Sequence, residues 1–199
     1  MLNLLRPALV MTVLLSALTG IAYPLAITGI AQLAFPAAAN GSLVQRDGIV
    51  VGSALIGQNF ETARYFHGRP SATSAPDPGD PSKSVDAPDN AASSAGSNLG
   101  PTSAKLVERV RGAVQALGGD PARPVPADAV TTSGSGLDPD ISPANALLQA
   151  PRVAAGRNLP LATIEALVRA QIQHPALGLF GTDRVNVLAL NLALDGLKG

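Results

Sequence analysis

The feature that most constrains this chain is an apolar run of 29 residues, from Pro7 to Phe35, that contains no charged side chain. As a helix, with a rise of 1.5 Å per residue, the run would span about 40 Å, which exceeds the ~30 Å hydrocarbon core of a bilayer. Pro24 is expected to kink this helix or to mark its outer end. The run predicts an uncleaved membrane anchor, with residues 1–40 as tail, anchor and exit and residues 41–199 as the soluble domain.

A cleaved signal peptide is the competing interpretation of this run. Ala37-Ala38-Ala39 fits a small-residue cleavage site, and Arg6 fits a charged n-region. The run is about twice as long as the 7–15 apolar residues of a signal peptide, which favours the anchor. Arg6 is the only Lys or Arg before Arg46. Its position predicts a cytoplasmic N-terminus and a soluble domain outside the membrane.

Charge and cysteine content exclude several functional classes. Fourteen basic residues balance fourteen acidic ones, so the chain lacks the electrostatic footprint of a nucleic-acid binder. The absence of cysteine excludes disulfides, thiol catalysis and Cys-based zinc sites. The two histidines give few candidate catalytic residues for a hydrolase. No Walker A, G-x-G-x-x-G or G-x-S-x-G sequence occurs. We expect neither a catalytic residue nor a metal site.

Beyond the anchor, the pattern indicates an α+β domain with a β-hairpin and several short helices. Asp47-Gly48 lies between two β-rich runs, which is typical of a hairpin with a type I′ turn. Ser142-Pro143 reads as an N-cap followed by Pro at the first helical position, and Pro151 should interrupt that helix. Asn186 can cap a final helix, after a short strand at Arg184-Val185. Further apolar stripes at helical spacing are Leu106 to Leu117 and Leu161 to Ile172, the latter stopped by Pro175.

The composition of the chain changes at residues 67–101, a polar stretch rich in Pro, Gly and Ser. This stretch holds six Pro, four Gly and seven Ser, with only Val85 and Leu99 as large aliphatic side chains. Such a composition cannot bury enough apolar surface to offset the entropy of ordering it alone. It predicts either a plain linker or a loop that docks on a partner.

Ser133-Gly134-Ser135-Gly136 is the best candidate for a binding segment. Gly-flanked serines expose backbone N–H groups that, with a following helix, suit an anion or a phosphate. The alternative, which we favour, is a tight turn that leads into the Ser142 cap. Asp138 and Asp140 could contact a hard cation, although two carboxylates alone are weak evidence.

His67 and Arg69 lie just downstream of an aromatic segment, Phe60 to Phe66, which holds most of the aromatic side chains of the domain. His67 could act as a base, but no acid partner or nucleophile can be identified, so a structural histidine bonded to nearby backbone is favoured. Arg69 could bind an anion or a loop carbonyl, or could simply be exposed.

Several long matches in order give the chain its resemblance to a known family. The matching segments are Gly52 to Gln58, Tyr65 to Ala72, Gly96 to Pro101, Ser133 to Asp138 with Ile141 to Pro143, and Val185 to Asp195. With the N-terminal anchor, they resemble the KdpC family over essentially the whole length. This family is the C subunit of the bacterial potassium-transporting Kdp ATPase. Asp140 departs from the His often found there in the family, which argues against a metal or proton role.

The resemblance implies a non-catalytic accessory subunit at the bacterial inner membrane. Its expected partners are a channel-like A subunit that binds potassium and a P-type ATPase B subunit that hydrolyses ATP. The family is described as supporting assembly and raising ATP affinity, with the segment Ser133, Gly134, Ser135 and Gly136 implied as nucleotide-binding. An outer domain cannot reach cytosolic ATP, so we expect no firmly bound cofactor, with ATP and potassium acting at the level of the complex.

The aromatic segment beside the polar loop predicts a docking surface for the channel-like subunit. Ordered aromatics next to a segment too polar to fold by itself are expected where a partner completes the ordering. The alternative to this whole interpretation is an independent extracytoplasmic binding or hydrolytic protein released from a signal peptide. The residues assigned to the partner surface are Tyr65, Phe66, His67, Arg69 and Asn98.

Overall fold

The structure is a computed structural model that describes residues 2–120, 122–175 and 177–197. Residues 198–199, the end of the predicted soluble domain, lie outside the described residues. By its internal contacts the chain divides into two compact units, residues 1–51 and residues 52–199. As predicted, the fold is mixed, with one long apolar N-terminal helix followed by short helices and small sheets.

The first unit is dominated by a continuous apolar helix. It consists of α1 (Leu2–Ala17), a π-helical turn (Leu18–Ala22) and α2 (Tyr23–Ala34). Residues 3–34 have a mean hydropathy of 1.9 over their most apolar 18-residue stretch, none of it buried within the chain. By length and composition, this helix can cross a membrane.

Pro24 does not end the membrane helix, so that alternative of the sequence analysis is wrong. A proline ring in a regular helix clashes with the carbonyl four residues earlier. Here the π-helical turn directly precedes α2, with the Tyr23 amide donating to the Leu18 carbonyl, five residues back. A wider turn at this point accommodates the proline within the helix. A short helix, α3 (Pro36–Ala39), follows.

The predicted hairpin is confirmed. Strands β1 (Leu43–Arg46) and β2 (Ile49–Ser53) form a two-stranded sheet. The two residues between them, Asp47 and Gly48, have φ angles of 52° and 78°. Positive φ at both central positions is what a type I′ turn requires, and Asp and Gly tolerate it.

The second unit is built around a three-stranded antiparallel sheet in the order β5-β7-β6. Its strands are β5 (Asp140–Ile141), β6 (Ile172–Gln173) and β7 (Arg184–Asn186). The predicted short strand at Arg184-Val185 is therefore the central strand, with Val185 opposite both Ile141 and Ile172.

Among its described residues, five helices complete this unit, and two of them begin at the predicted caps. Ser142 Oγ accepts a hydrogen bond from the Asn145 amide at 3.1 Å, and Asn186 Oδ1 accepts one from the Ala189 amide at 3.0 Å. Each side chain satisfies an otherwise unpaired amide in the first turn of its helix. The helices are α4 (Ala104–Ala116), α5 (Ala127–Val130), α6 (Pro143–Arg157), α7 (Leu161–Ala170) and α8 (Val187–Asp195).

Two expected helix boundaries are wrong. Helix α6 continues through Pro151, because the proline is exposed while Ala150 and Val153 on either side are fully buried in the core. That packing offsets the lost backbone hydrogen bond. Helix α7 ends at Ala170, and Ile172, expected on its stripe, pairs in β6 instead.

The core lies where α6, α7 and α8 pack together beside the sheet. Its completely buried side chains come from these helices, from β7 and from the segment before the polar loop. The largest of them are Phe66, Ile164, Leu190, Leu194, Val153, Val168 and Val185.

The 67–101 stretch is ordered on its own domain, so the expectation of a linker is wrong. It contains an antiparallel pair, β3 (Ser74–Pro76) and β4 (Ser84–Asp86). Thr73 is 2% exposed, and its hydroxyl donates to the Ala87 carbonyl at 2.6 Å and accepts from the Asn90 amide at 3.1 Å. Hydrogen bonds from short polar side chains hold this segment where apolar burial does not.

Candidate functional site

The segment 133–138 lies between two parts of the polar stretch and is bonded to both. The Ser133 amide donates to the Pro70 carbonyl at 3.2 Å. The Ser135 carbonyl accepts from the Ala95 amide at 2.9 Å. On the other side, Ser71 Oγ donates to the Gly136 carbonyl at 2.7 Å. The backbone groups that an anion site would need are therefore partly used to join three stretches of the domain.

The two glycines of this segment differ in what they do. Gly136 has a φ of 70°, and a Cβ built there would lie 2.5 Å from both the Ala95 carbonyl oxygen and Thr73 Cγ2. Gly134 is exposed, and a Cβ there would meet nothing within 4 Å. Of these two glycines, Gly136 has the backbone angle that favours glycine and Gly134 does not. The neighbour of Gly134, Gly96, is the residue that has no room for a side chain, because a Cβ built on Gly96 would lie 2.7 Å from the Gly134 carbonyl oxygen.

Arg69 fastens the end of this segment. Its Nη1 lies 2.9 Å from Asp138 Oδ2, with the two side chains 25% and 31% exposed, and its Nη2 donates to the Thr132 carbonyl at 3.3 Å. Asp138 Oδ1 accepts from the Asp140 amide at 3.1 Å. Within the described part of the chain, the buried Arg69 Nε and Ser133 Oγ have no hydrogen-bond partner. Arg69, assigned to a partner surface from the sequence, is largely committed inside the domain.

The two carboxylates considered for a hard cation are each paired with an arginine. Asp138 is bound by Arg69, and Asp140 Oδ2 lies 3.1 Å from Arg184 Nε. Burial raises the pKa of Asp140, while a hydrogen bond from Asn186 and the charge of Arg184 oppose that shift. No group of three or more His, Asp or Glu suited to a metal occurs among residues 2–120, 122–175 and 177–197. The arginines supply the positive charge that a cation would otherwise bring.

Phe66 is part of the core, so its assignment to the partner surface is wrong. Its side chain is 0% exposed. The Asn191 amide group holds its backbone on both sides, because Oδ1 accepts from the Phe66 amide and Nδ2 donates to the Phe66 carbonyl, each at 2.9 Å. Sequence reasoning missed Asn191, although a polar side chain between Leu190 and Leu194 on an apolar helix face is a recognisable signal.

Tyr65 also packs against its own domain. Its hydroxyl lies 3.2 Å from both carboxylate oxygens of Asp195, and the Arg157 guanidinium lies 4.7 Å from the ring centroid. Arg157 in turn pairs with Asp195 at 2.6 Å. Phe60 adds a tilted ring contact at 5.5 Å. Truncating Tyr65 would therefore disturb folding before it tested any partner contact.

His67 is bonded to nearby backbone, as the structural interpretation predicts. Its Nε2 lies 3.0 Å from the Thr62 carbonyl oxygen and 3.2 Å from Arg152 Nη1. Burial lowers the pKa of the imidazole, the Thr62 hydrogen bond opposes this, and the Arg152 charge lowers it further. The Gln149 side chain binds the His67 backbone at both its amide and its carbonyl.

An open cleft of about 540 Å³ runs beside these residues. Arg152 Nη1 donates to the Tyr65 carbonyl at 3.0 Å, and Nη2 donates to Gln149 Oε1 at 2.7 Å. The cleft thus presents polar groups that are already positioned by internal hydrogen bonds. Among its lining residues are His67, Arg69, Ser71, Asp89, Gln149 and Arg152.

Of the five residues assigned to the partner surface, Asn98 is exposed, whereas the other four are half-buried or buried. It lies outside the regular elements and has a φ of 51°, in the left-handed region that Asn tolerates. The structure thus places Tyr65, Phe66 and His67 next to one another against α6 and α8. Asn98 lies on the surface, two residues after Gly96, the residue that closely approaches Gly134. The five assigned residues do not form one exposed patch.

Comparison with known proteins identifies close relatives over the full length. A model of the KdpC family, the c chain of the K⁺-transporting ATPase, matches residues 5–196. The potassium-transporting ATPase KdpC subunit of Methylorubrum extorquens is 65% identical over 198 residues, covering 99% of this chain and 98% of that protein. The KdpC subunit of Methylobacterium nodulans is 63% identical over 200 residues, covering 100% of both chains. That of Bradyrhizobium diazoefficiens is 59% identical over 196 residues, covering 98% of each.

Proposed function

Because this chain belongs to the KdpC family, the c chain of the K⁺-transporting ATPase, we propose that it is a non-catalytic accessory subunit of potassium uptake. In this role it supports the assembly of the complex and the ATP affinity of a P-type ATPase B subunit, beside a channel-like A subunit that binds potassium. The observation that carries the non-catalytic role is that the Ser–Gly segment, residues 133–136, forms hydrogen bonds within its own domain. These bonds make the segment a structural part of the domain.

The proposed orientation has a cytoplasmic N-terminus and an outer soluble domain. Arg6 lies near the start of the apolar helix of residues 3–34, and the next basic side chain in the sequence is Arg46. A basic residue on the near side of a first membrane helix favours the cytoplasm for that side. In this orientation the domain is separated from cytosolic ATP, so any effect on ATP affinity passes through the membrane subunits.

The charge around the Ser–Gly segment supports an indirect effect on ATP. Residues 133–138 contain no Lys or Arg. Arg69 reaches the segment, and it is paired with Asp138 at 2.9 Å. A triphosphate site usually supplies positive charge to neutralise the ligand. We therefore assign Ser133, Gly134, Ser135 and Gly136 to holding residues 69–73 and 94–97 in place.

The test of this proposal is reconstitution of the complex with and without the full chain. The A subunit carries an affinity tag and is co-expressed with the B subunit, with or without the chain, and the purified complexes are assayed for potassium-stimulated ATP hydrolysis. We expect the A and B subunits to co-purify with the chain and the activity to fall when it is omitted. Equal assembly and an equal KM for ATP without the chain would contradict the proposal.

An intact mass of the mature chain tests the alternative of a released extracytoplasmic protein. We expect the membrane helix to be present in the purified subunit, because the apolar run exceeds the length of a signal peptide core. A mature chain that begins after Ala39 and purifies without a membrane fraction would favour the released protein.

A further inference from the structure

Asp89 carries a half-buried carboxylate that has no bonding partner inside its domain. The Asp89 amide donates to Ser71 Oγ at 3.1 Å, but among the described residues the carboxylate forms neither a hydrogen bond nor an ion pair. Taking a carboxylate out of water without a partner costs free energy, so its position in this fold needs a reason. The other half-buried aspartates of the described chain each have a hydrogen bond or an ion pair; they are Asp77, Asp80, Asp128, Asp138, Asp140 and Asp195.

The surrounding backbone fixes the place of this carboxylate. Asp89 has a φ of 55°, in the left-handed region. The next residue, Asn90, donates its backbone amide to Thr73 Oγ1 at 3.1 Å and its side-chain amide to the Ser74 carbonyl at 2.8 Å. Gly57 leaves room for the carboxylate, since a Cβ on this glycine would lie 2.9 Å from Asp89 Oδ1. The polar stretch therefore holds Asp89 where it lines the open cleft of about 540 Å³.

The two arginines that line the same cleft are engaged elsewhere. Arg69 Nη1 is paired with Asp138 at 2.9 Å. Arg152 Nη1 donates to the Tyr65 carbonyl at 3.0 Å. Burial alone raises the pKa of Asp89, and neither a positive charge nor a hydrogen bond opposes that shift. Within the described part of the domain, no cation balances the charge of this carboxylate.

We propose that the cleft binds an organic cation, an ammonium or guanidinium group on an aliphatic stem, with the Asp89 carboxylate as its counter-charge. A hard metal ion such as Ca²⁺ takes about six or more oxygen ligands, which one carboxylate does not supply. An ammonium or guanidinium group pairs well with a single carboxylate. Its stem can lie along apolar walls, as lysine and arginine stems do. The cleft has such walls in Phe60, Pro88 and Leu117, and its volume lies in the range of ligand sites, about 300–1,000 Å³.

Binding of n-butylguanidinium to the full chain in detergent tests the inference. The matched probe is n-butylurea, which has nearly the same shape and no charge, and both are titrated by ligand-observed NMR. We expect n-butylguanidinium to bind with a Kd of about 1–10 mM and n-butylurea to bind at least about tenfold more weakly. Equal binding of the two probes, or no saturable binding of n-butylguanidinium below about 50 mM, would overturn the inference.

Substitution identifies the counter-charge. Asp89→Asn removes the charge at nearly constant shape and should weaken n-butylguanidinium binding by about tenfold. Asparagine tolerates the left-handed backbone, so this variant should unfold at the temperature of the unaltered chain. Asp86→Asn, at an exposed position of β4, is the matched control and should leave the Kd within about twofold. Equal binding by Asp89→Asn and the unaltered chain would overturn the inference.

The same titration on the assembled complex distinguishes two sources of the cation. If the ligand is a free amine, n-butylguanidinium binds the complex as it binds the chain. If a lysine or arginine side chain of another subunit fills the cleft, the probe no longer binds the complex, and Asp89→Asn lowers the yield of assembled complex. A cleft that is closed in the complex while Asp89→Asn leaves assembly unchanged would overturn the inference. The measurements on the chain alone do not involve assembly, so their failure would leave the proposed function standing.

Discussion

Replacing Gly136 with alanine should destabilise the soluble domain strongly, because two independent costs fall on this residue. Its φ of 70° places an L-residue in the left-handed region, which costs about 1–2 kcal/mol. The new Cβ would lie 2.5 Å from the Ala95 carbonyl oxygen, which is backbone and cannot rotate away. Relieving such a contact by a local shift costs about 1–3 kcal/mol. The total is roughly 2–5 kcal/mol, against the typical domain stability of about 5–15 kcal/mol.

Gly134→Ala provides the matched control, since it lies two residues away in the same segment. A Cβ at Gly134 meets nothing within 4 Å, so its free energy of unfolding should change by less than about 0.5 kcal/mol. For a unit of this size, 1 kcal/mol shifts Tm by about 2–4 °C. Thermal unfolding of the full chain in detergent, followed by circular dichroism, should show a fall in Tm of roughly 4–20 °C for Gly136→Ala and of less than about 2 °C for Gly134→Ala. Equal shifts for the two variants would refute the reasoning.

Three further predictions concern the contacts that fasten the polar stretch. Asn191→Ala leaves the buried amide and carbonyl of Phe66 unpaired. It should therefore lower the free energy of unfolding, measured by denaturant titration, by about 2–4 kcal/mol, and a change below about 0.5 kcal/mol would contradict this. Burial lowers the pKa of His67 in the folded state, so the unfolded state binds a proton more readily and stability should fall as pH drops through about 6.5. The Tm of a His67→Gln variant should therefore decrease less between about pH 7.5 and 5.5 than that of the unaltered chain. A double-mutant cycle with Arg69→Gln and Asp138→Asn should give a coupling energy of about 1–2 kcal/mol, and a coupling of zero would show that this pair does not fasten the segment.

Local signals in the sequence predicted the elements whose determinants lie within a few residues. The Asp47-Gly48 turn and the Ser142 and Asn186 caps depend on one or two side chains and their own backbone, and all are found in the structure. Two expectations for prolines were wrong, that Pro24 marks the outer end of its helix and that Pro151 interrupts its own, because the environment of each proline decides the outcome. Pro24 is accommodated by a π-helical turn, and Pro151 lies on the exposed side of a helix whose other face is core.

The contacts that define the candidate site depend on residues far apart in the sequence. Ser71 meets Gly136 over 65 positions, and Asn191 meets Phe66 over 125 positions. Composition predicted that residues 67–101 could not bury apolar surface, and this is consistent with their mostly polar contacts. It could not show that short hydroxyl side chains, such as those of Ser71 and Thr73, would bond backbone groups well enough to order the stretch. The same long-range pairing put Phe66 in the core.

The most direct test of the central claim is the KM for ATP of the assembled complex that carries Ser135→Ala in this chain. Ser135 is exposed, and its hydroxyl accepts one local hydrogen bond, from the Leu137 amide at 3.1 Å. If the segment acts only through the structure of the domain, the substitution should leave assembly and the KM for ATP within about twofold of the unaltered complex, because one exposed hydrogen bond is worth about 0.5 kcal/mol. A rise of tenfold or more in the KM for ATP, at unchanged assembly, would contradict the claim and assign the segment to the nucleotide.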